Sequence, residues 1–161
     1  MRIVCALVPA ALLLLGCSAL PNPMARAQEA AQEFNTDTRY GRNEIAIERV
    51  APAVHDAFLS HHRAWGSKVQ IADVELEGLH RKSDHEAEVT VRVNWYRPEE
   101  QELRTTTLKQ IWRDQNGWKL AGEERLEGDI GLLGEAVVFQ APEEPKSTRQ
   151  FPTVRLQGAS E

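Results

Sequence analysis

The sequence predicts an α+β fold in which about three N-terminal helices pack on one face of a curved four-stranded antiparallel sheet. Three observations carry this. Apolar residues recur at helical spacing from Ala27 to Trp65. After Gly66 the period becomes two and holds to about Glu124. The connections between the period-two runs are short, which joins neighbouring strands antiparallel.

The first helix is carried by Ala27, Ala30, Ala31 and Phe34, with Gln and Glu between them, and runs towards Tyr40 before Gly41 offers a stop. Asn43 can cap a second, short helix bearing Ile45, Ile47 and Val50. Pro52 suits the first turn of a third, where its missing N–H is no loss. Val54, Ala57, Phe58, His61 and Trp65 then share one face, and Gly66 ends it.

The first strand runs from about Lys68 to Leu79. Its apolar residues switch parity between Val69, Ile71 and Val74, Leu76, which predicts a bulge near Ala72-Asp73. The second carries Ala87, Val89, Val91, Val93 and Trp95 on one face and Glu86, Glu88, Thr90, Arg92 and Asn94 on the other. Pro98-Glu99-Glu100 turns the chain into a third strand, Leu103 to Arg113. There Thr105, Thr107, Lys109 and Ile111 oppose Thr106, Leu108, Gln110 and Trp112. Asn116-Gly117 signals a hairpin before the fourth strand, Trp118 to Glu124. Past Glu127, glycines 128, 131 and 134 surround Ile130, Leu132 and Leu133. Pro142 to Thr148 reads as a linker, and Phe151 to Leu156 as either a disordered end or a short segment that adds to a sheet edge.

At the N-terminus, Arg2 precedes an apolar run from Ile3 to Leu15 that is short for a bilayer span, the pattern of an export signal. Leu14-Leu15-Gly16-Cys17 at its end resembles the lipobox of bacterial lipoproteins. That resemblance implies removal of residues 1–16, acylation of Cys17 with palmitate among its chains, and attachment to the lipid bilayer. With Ser18 next, it also implies sorting to the outer membrane, facing the periplasm. A rival site, Ala25-Arg26-Ala27, would instead release a soluble periplasmic or secreted protein. The expected organisation is a signal at 1–16, a Pro-containing tether at 17–26, the α+β domain at 27–127 and an extended, flexible tail at 128–161.

The chain has 161 residues, a net charge of -5 and two cysteines. One domain with a real core is the economical reading. The acidic balance makes nucleic acid an unsuitable partner. Cys5 would leave with the signal and Cys17 would be acylated, so thiol catalysis, disulfides and cysteine zinc sites are excluded.

Three helices followed by hairpin-linked strands, with Trp65-Gly66 at the crossover and Asn116-Gly117-Trp118-Lys119-Leu120 opening the last strand, resemble the cone-shaped nuclear-transport-factor-two-like superfamily over residues 25–127. A cystatin-like sheet around one helix is the nearest rival. The superfamily resemblance implies that any reactive group lies in the cone between helices and sheet, where burial tunes its pKa. The pocket candidates are His61 on the third helix, Asp73 at the bulge, and Trp95, Trp112 and Trp118. For His61 the competing role is packing with a hydrogen bond to a carbonyl, for Asp73 plain exposure, and for the tryptophans core formation. His80 and His85 flank a hairpin loop whose Arg81 and Lys82 oppose a cation. No catalytic, cofactor or metal residue is assigned, and no cofactor is expected. The expectation is a non-enzymatic binding or scaffold module for an envelope protein or small apolar ligand. The alternative is a small isomerase-, cyclase- or dehydratase-type enzyme on an apolar substrate.

Overall fold

A computed structural model describes residues 22–100 and 102–136. The order is α1 (Pro23–Arg39), α2 (Asn43–Ala46), α3 (His55–His61), β1 (Gln70–Arg81), β2 (Glu86–Tyr96), β3 (Leu103–Asp114) and β4 (Trp118–Gly128). A 3-10 turn, Ile47–Arg49, extends α2, and another, Pro52–Val54, leads into α3. The fold is α+β, with three N-terminal helices packed against a four-stranded antiparallel sheet of order β1-β2-β3-β4.

The first helix starts earlier than expected. Pro23 is already helical, so residues 23–26 belong to α1 and not to a tether. The reason is local: Asn22 caps the helix by accepting from the Met24 N–H, and proline at the first position loses no hydrogen bond. Cys17 and the rest of residues 1–21 lie outside the described residues.

The sheet faces follow the predicted alternation. Ala87, Val89, Val91, Val93 and Trp95 are fully buried under the helices, and across β3 so are Thr106, Leu108, Gln110 and Trp112. The opposite face carries cross-strand ion pairs, Arg92 with Glu75 and Glu77, Lys109 with Glu124, and Arg113 with Glu86. These keep that face solvated. The expected bulge lies between Ile71 and Asp73. Three further register shifts, which no sequence pattern predicted, lie between Leu76 and Gly78, between Thr107 and Leu108, and where Trp112 pairs with Leu120 but Ile111 pairs with Gly122, leaving Ala121 unmatched.

The body continues through Ala136. Leu132 and Leu133 are buried, and the Trp65 indole N–H donates to the Leu132 carbonyl at 2.9 Å. The sequence reading put this segment in the extended tail because glycines surround it. Those glycines instead shape a turn that Glu135 ties down, its carboxylate accepting from the N–H groups of Gly131 and Leu133 and from Arg125. Partial burial works to raise the Glu135 pKa, but these backbone and Arg125 hydrogen bonds outweigh it and hold the carboxyl below its usual range. The expected linker and final apolar group, residues 142–156, lie outside the described residues.

Gly128 joins β4 to this turn at φ +88, where a Cβ would stand 2.3 Å from the Thr105 carbonyl oxygen. Gly128→Ala is therefore expected to cost more than about 2 kcal/mol in urea unfolding, from backbone strain and displacement of β3 together. A cost near zero would show that this junction is not closely packed.

Candidate functional site

The interior between helices and sheet is filled by aromatic rings. Phe34 on α1 lies 5.7 Å from both Phe58 and Trp112, centroid to centroid, and His62 lies between Phe58 at 4.5 Å, tilted, and Trp65 at 4.3 Å, edge-on. Within this apolar surround runs one polar chain. Asn35 and Gln110 exchange side-chain hydrogen bonds at 2.9 and 3.1 Å, and the Gln110 amide also donates to Glu123 Oε1 at 2.9 Å. Glu123 Oε2 faces His62 Nε2 at 3.2 Å, with both side chains almost wholly buried.

Each member is positioned by its element. His62 follows the last residue of α3, and its N–H and Nδ1 both meet the Phe58 carbonyl. That carbonyl can only accept, so Nδ1 carries a proton and Nε2 turns to Glu123. Gln110 points inward by the alternation of β3. Glu123 points inward because the Ala121 bulge reverses the parity of β4, without which it would face solvent. Nε2 and Oε2 face each other, and neither atom has a hydrogen-bond partner among the described residues. Burial pushes the His62 imidazole below its ordinary range, opposed by the Glu123 carboxylate and the Phe58 hydrogen bond and assisted by nearby His61.

Two clefts meet the ends of this chain. One of about 240 Å³ lies between α3 and β4, lined by Val54, Phe58, His61, Leu120 and Glu123 among others. The other, about 650 Å³, is a groove between α1 and the edge strand β1, with Asn35, Arg39, Tyr40, Val74 and Leu76 in its walls. A carboxylate therefore borders the first cleft and an amide the second, while His62 and Gln110 stay sealed between them. No family model, curated protein or solved structure matches the chain.

The sequence-derived candidates are not brought together. His61 is half-buried on the rim of the α3–β4 cleft. Asp73 pairs with Arg39 at 3.0 Å, and Arg39 also donates to the Ala72 carbonyl, so the bulge is clamped to the end of α1 and its carboxylate stays outside the core. Trp95 is a core residue whose indole donates to Thr106 Oγ1, and Trp112 another whose indole meets Gln110. Trp118 is buried beside Arg26 and Gly117. His80 and His85 are exposed.

His62 and Glu123 were the residues missed. His61 and His62 are both one turn beyond Phe58, and spacing alone does not tell which enters the core. Gln110 was assigned to the Trp112 face, but nothing in its sequence neighbourhood announced a buried partner. Among the described residues, no group of three or more His, Cys, Asp or Glu side chains converges as a metal site would require.

Proposed function

We propose that the protein is a lipid-anchored envelope lipoprotein whose α+β body serves as a non-enzymatic binding or scaffold module, held by acylated Cys17 to the outer membrane and facing the periplasm. The observation that carries this is the placement of Leu14-Leu15-Gly16-Cys17 at the end of the apolar run. Where α1 begins adds support, since only Ser18–Asn22 would separate the anchor from the body. Cleavage at the rival site after Ala27 would remove the Asn22 cap, the first turn of α1 and the fully buried Ala27 itself. The filled interior favours recognition on the outside of the body.

Cys17→Ala is expected to abolish metabolic labelling with palmitate and to move the protein out of the membrane fraction. Unchanged labelling and unchanged sedimentation would overturn the proposal.

A second reading, the isomerase-, cyclase- or dehydratase-type enzyme, draws on Glu123 at the wall of the α3–β4 cleft with a histidine behind it. A small apolar molecule bound against Glu123 in a co-crystal would favour it over the module.

A further inference from the structure

A third cleft, of about 660 Å³, opens at the far end of α3 and is lined by Ser60, His61, Arg63, Ser67, Lys68 and the backbone of Gly134, with Ala64 between. Its charge is unusual for this molecule. The chain is acidic overall, at -5, and its cations are almost all neutralised. Arg26, Arg39, Arg42 and Arg49 pair with Asp114, Asp73, Asp37 and Glu33. Arg81, Lys82, Arg92, Arg97, Arg104, Lys109, Arg113 and Arg125 also meet carboxylates, and Lys119 donates to the Glu48 carbonyl. Of the described arginines and lysines only Arg63, Lys68 and Lys119 meet no carboxylate among the described residues; Lys119 is held by a carbonyl, while Arg63 and Lys68 both line this one cleft, which no Asp or Glu borders.

We propose that this cleft binds the phosphate or carboxylate group of a soluble anionic ligand. Arg63 supplies a planar fork of donors suited to two oxygens, and Lys68 a compact charge. The His61 ring and the Ser60 hydroxyl, neither engaged in a hydrogen bond within the described body, add polar groups at the same wall. The supporting frame is firm. Ser67 and Lys68 sit in the tight turn closed by the Gly66 N–H to Val69 carbonyl bond, and the turn carrying Gly134 is pinned through Leu132 to Trp65. A volume of this size admits a ligand larger than the anion alone.

The position of the cleft selects the source. Gly66 lies against Gly41, just past the C-terminal end of α1, and a Cβ on Gly41 would come within 3.0 Å of the Gly66 Cα. The 17 residues of α1 place this end ~25 Å from the helix start. On the reading that Cys17 anchors the chain, the anchor precedes the start of α1 in sequence, whereas the cleft sits by the opposite end of that helix, which favours a soluble source over the headgroups of its own membrane.

The test is titration of inorganic phosphate into the full chain in a zwitterionic detergent, read by amide NMR. Because binding is measured in micelles, failure of the anchor would not affect it. Saturable shifts confined to residues 60–68 and Gly134 are expected, with at least a tenfold weaker affinity in Arg63→Ala/Lys68→Ala. Both side chains are exposed, and retained circular dichroism would show that the double variant folds. Absence of shifts, or equal binding by the double variant, would overturn the site. Shifts seen only with phosphatidylglycerol vesicles would overturn the soluble source in favour of a headgroup. Shifts seen only after Glu143→Gln/Glu144→Gln would overturn an external ligand, showing that the chain's own carboxylates fill the cleft.

Discussion

Glu123→Ala is expected to destabilise the body by roughly 3 kcal/mol or more, because it strips the buried His62 Nε2 of the group that faces it and leaves a Gln110 amide proton unpaired. Thermal unfolding should fall by about 10 °C or more for a body of this size. Glu123→Gln is the informative contrast. With Nδ1 protonated, a neutral His62 accepts at Nε2, so the glutamine amide can donate there while its oxygen still accepts from Gln110. A loss within about 1 kcal/mol is expected. Equal losses for both variants would show that the carboxylate's charge, and not its hydrogen-bond geometry, holds α3 to β4.

The pair also shapes the response to acid. Burial, against the pull of Glu123, lowers the His62 pKa in the fold, whereas the unfolded chain takes its proton at the ordinary value of 6.5. The unfolded state thus binds more protons just below that pH. This contribution to stability is full above about 6.5 and declines as the pH falls towards the lowered folded value. Removing the opposing Glu123 charge should extend the decline to lower pH, visible as a steeper loss in denaturant midpoints under acid.

Phe34→Ala should have an effect of similar size, ~3–5 kcal/mol, by opening a cavity at the centre of the ring cluster formed with Phe58, His62 and Trp112. Phe34 is fully buried, and its neighbours come from α3, the residue just past it, and β3, so the surroundings cannot collapse without moving separate elements. Urea unfolding would measure it. A loss below about 1 kcal/mol would mean that the interior is loosely filled, and would reopen the interior as a ligand chamber.

Much of the architecture was legible because it rests on period and on turn chemistry. The faces of β2 were set by five alternating apolar residues, and the Ala72-Asp73 bulge by a visible change of parity. The β3–β4 hairpin was marked by Asn116 and Gly117, both of which adopt positive φ. The polar interior was not legible, since it depends on the Ala121 bulge, where no such apolar marker exists: Gly122, Glu123 and Glu124 follow, and either glutamate could have faced inward. Likewise His61 and His62 are indistinguishable by spacing from Phe58, and the tertiary position of β4 chooses between them. The tryptophans were read correctly as abundant core material: Trp95, Trp112 and Trp118 are all buried, the first two with hydrogen-bonded indoles and Trp118 with an indole N–H that meets no acceptor among the described residues.

Mass spectrometry of the mature N-terminus, on protein extracted from membranes of cells making the full chain, tests the anchored-module proposal most directly. The predicted result is a chain beginning at Cys17 and carrying acyl groups on that residue. A chain beginning unmodified at Gln28, or one retaining Met1, would contradict it.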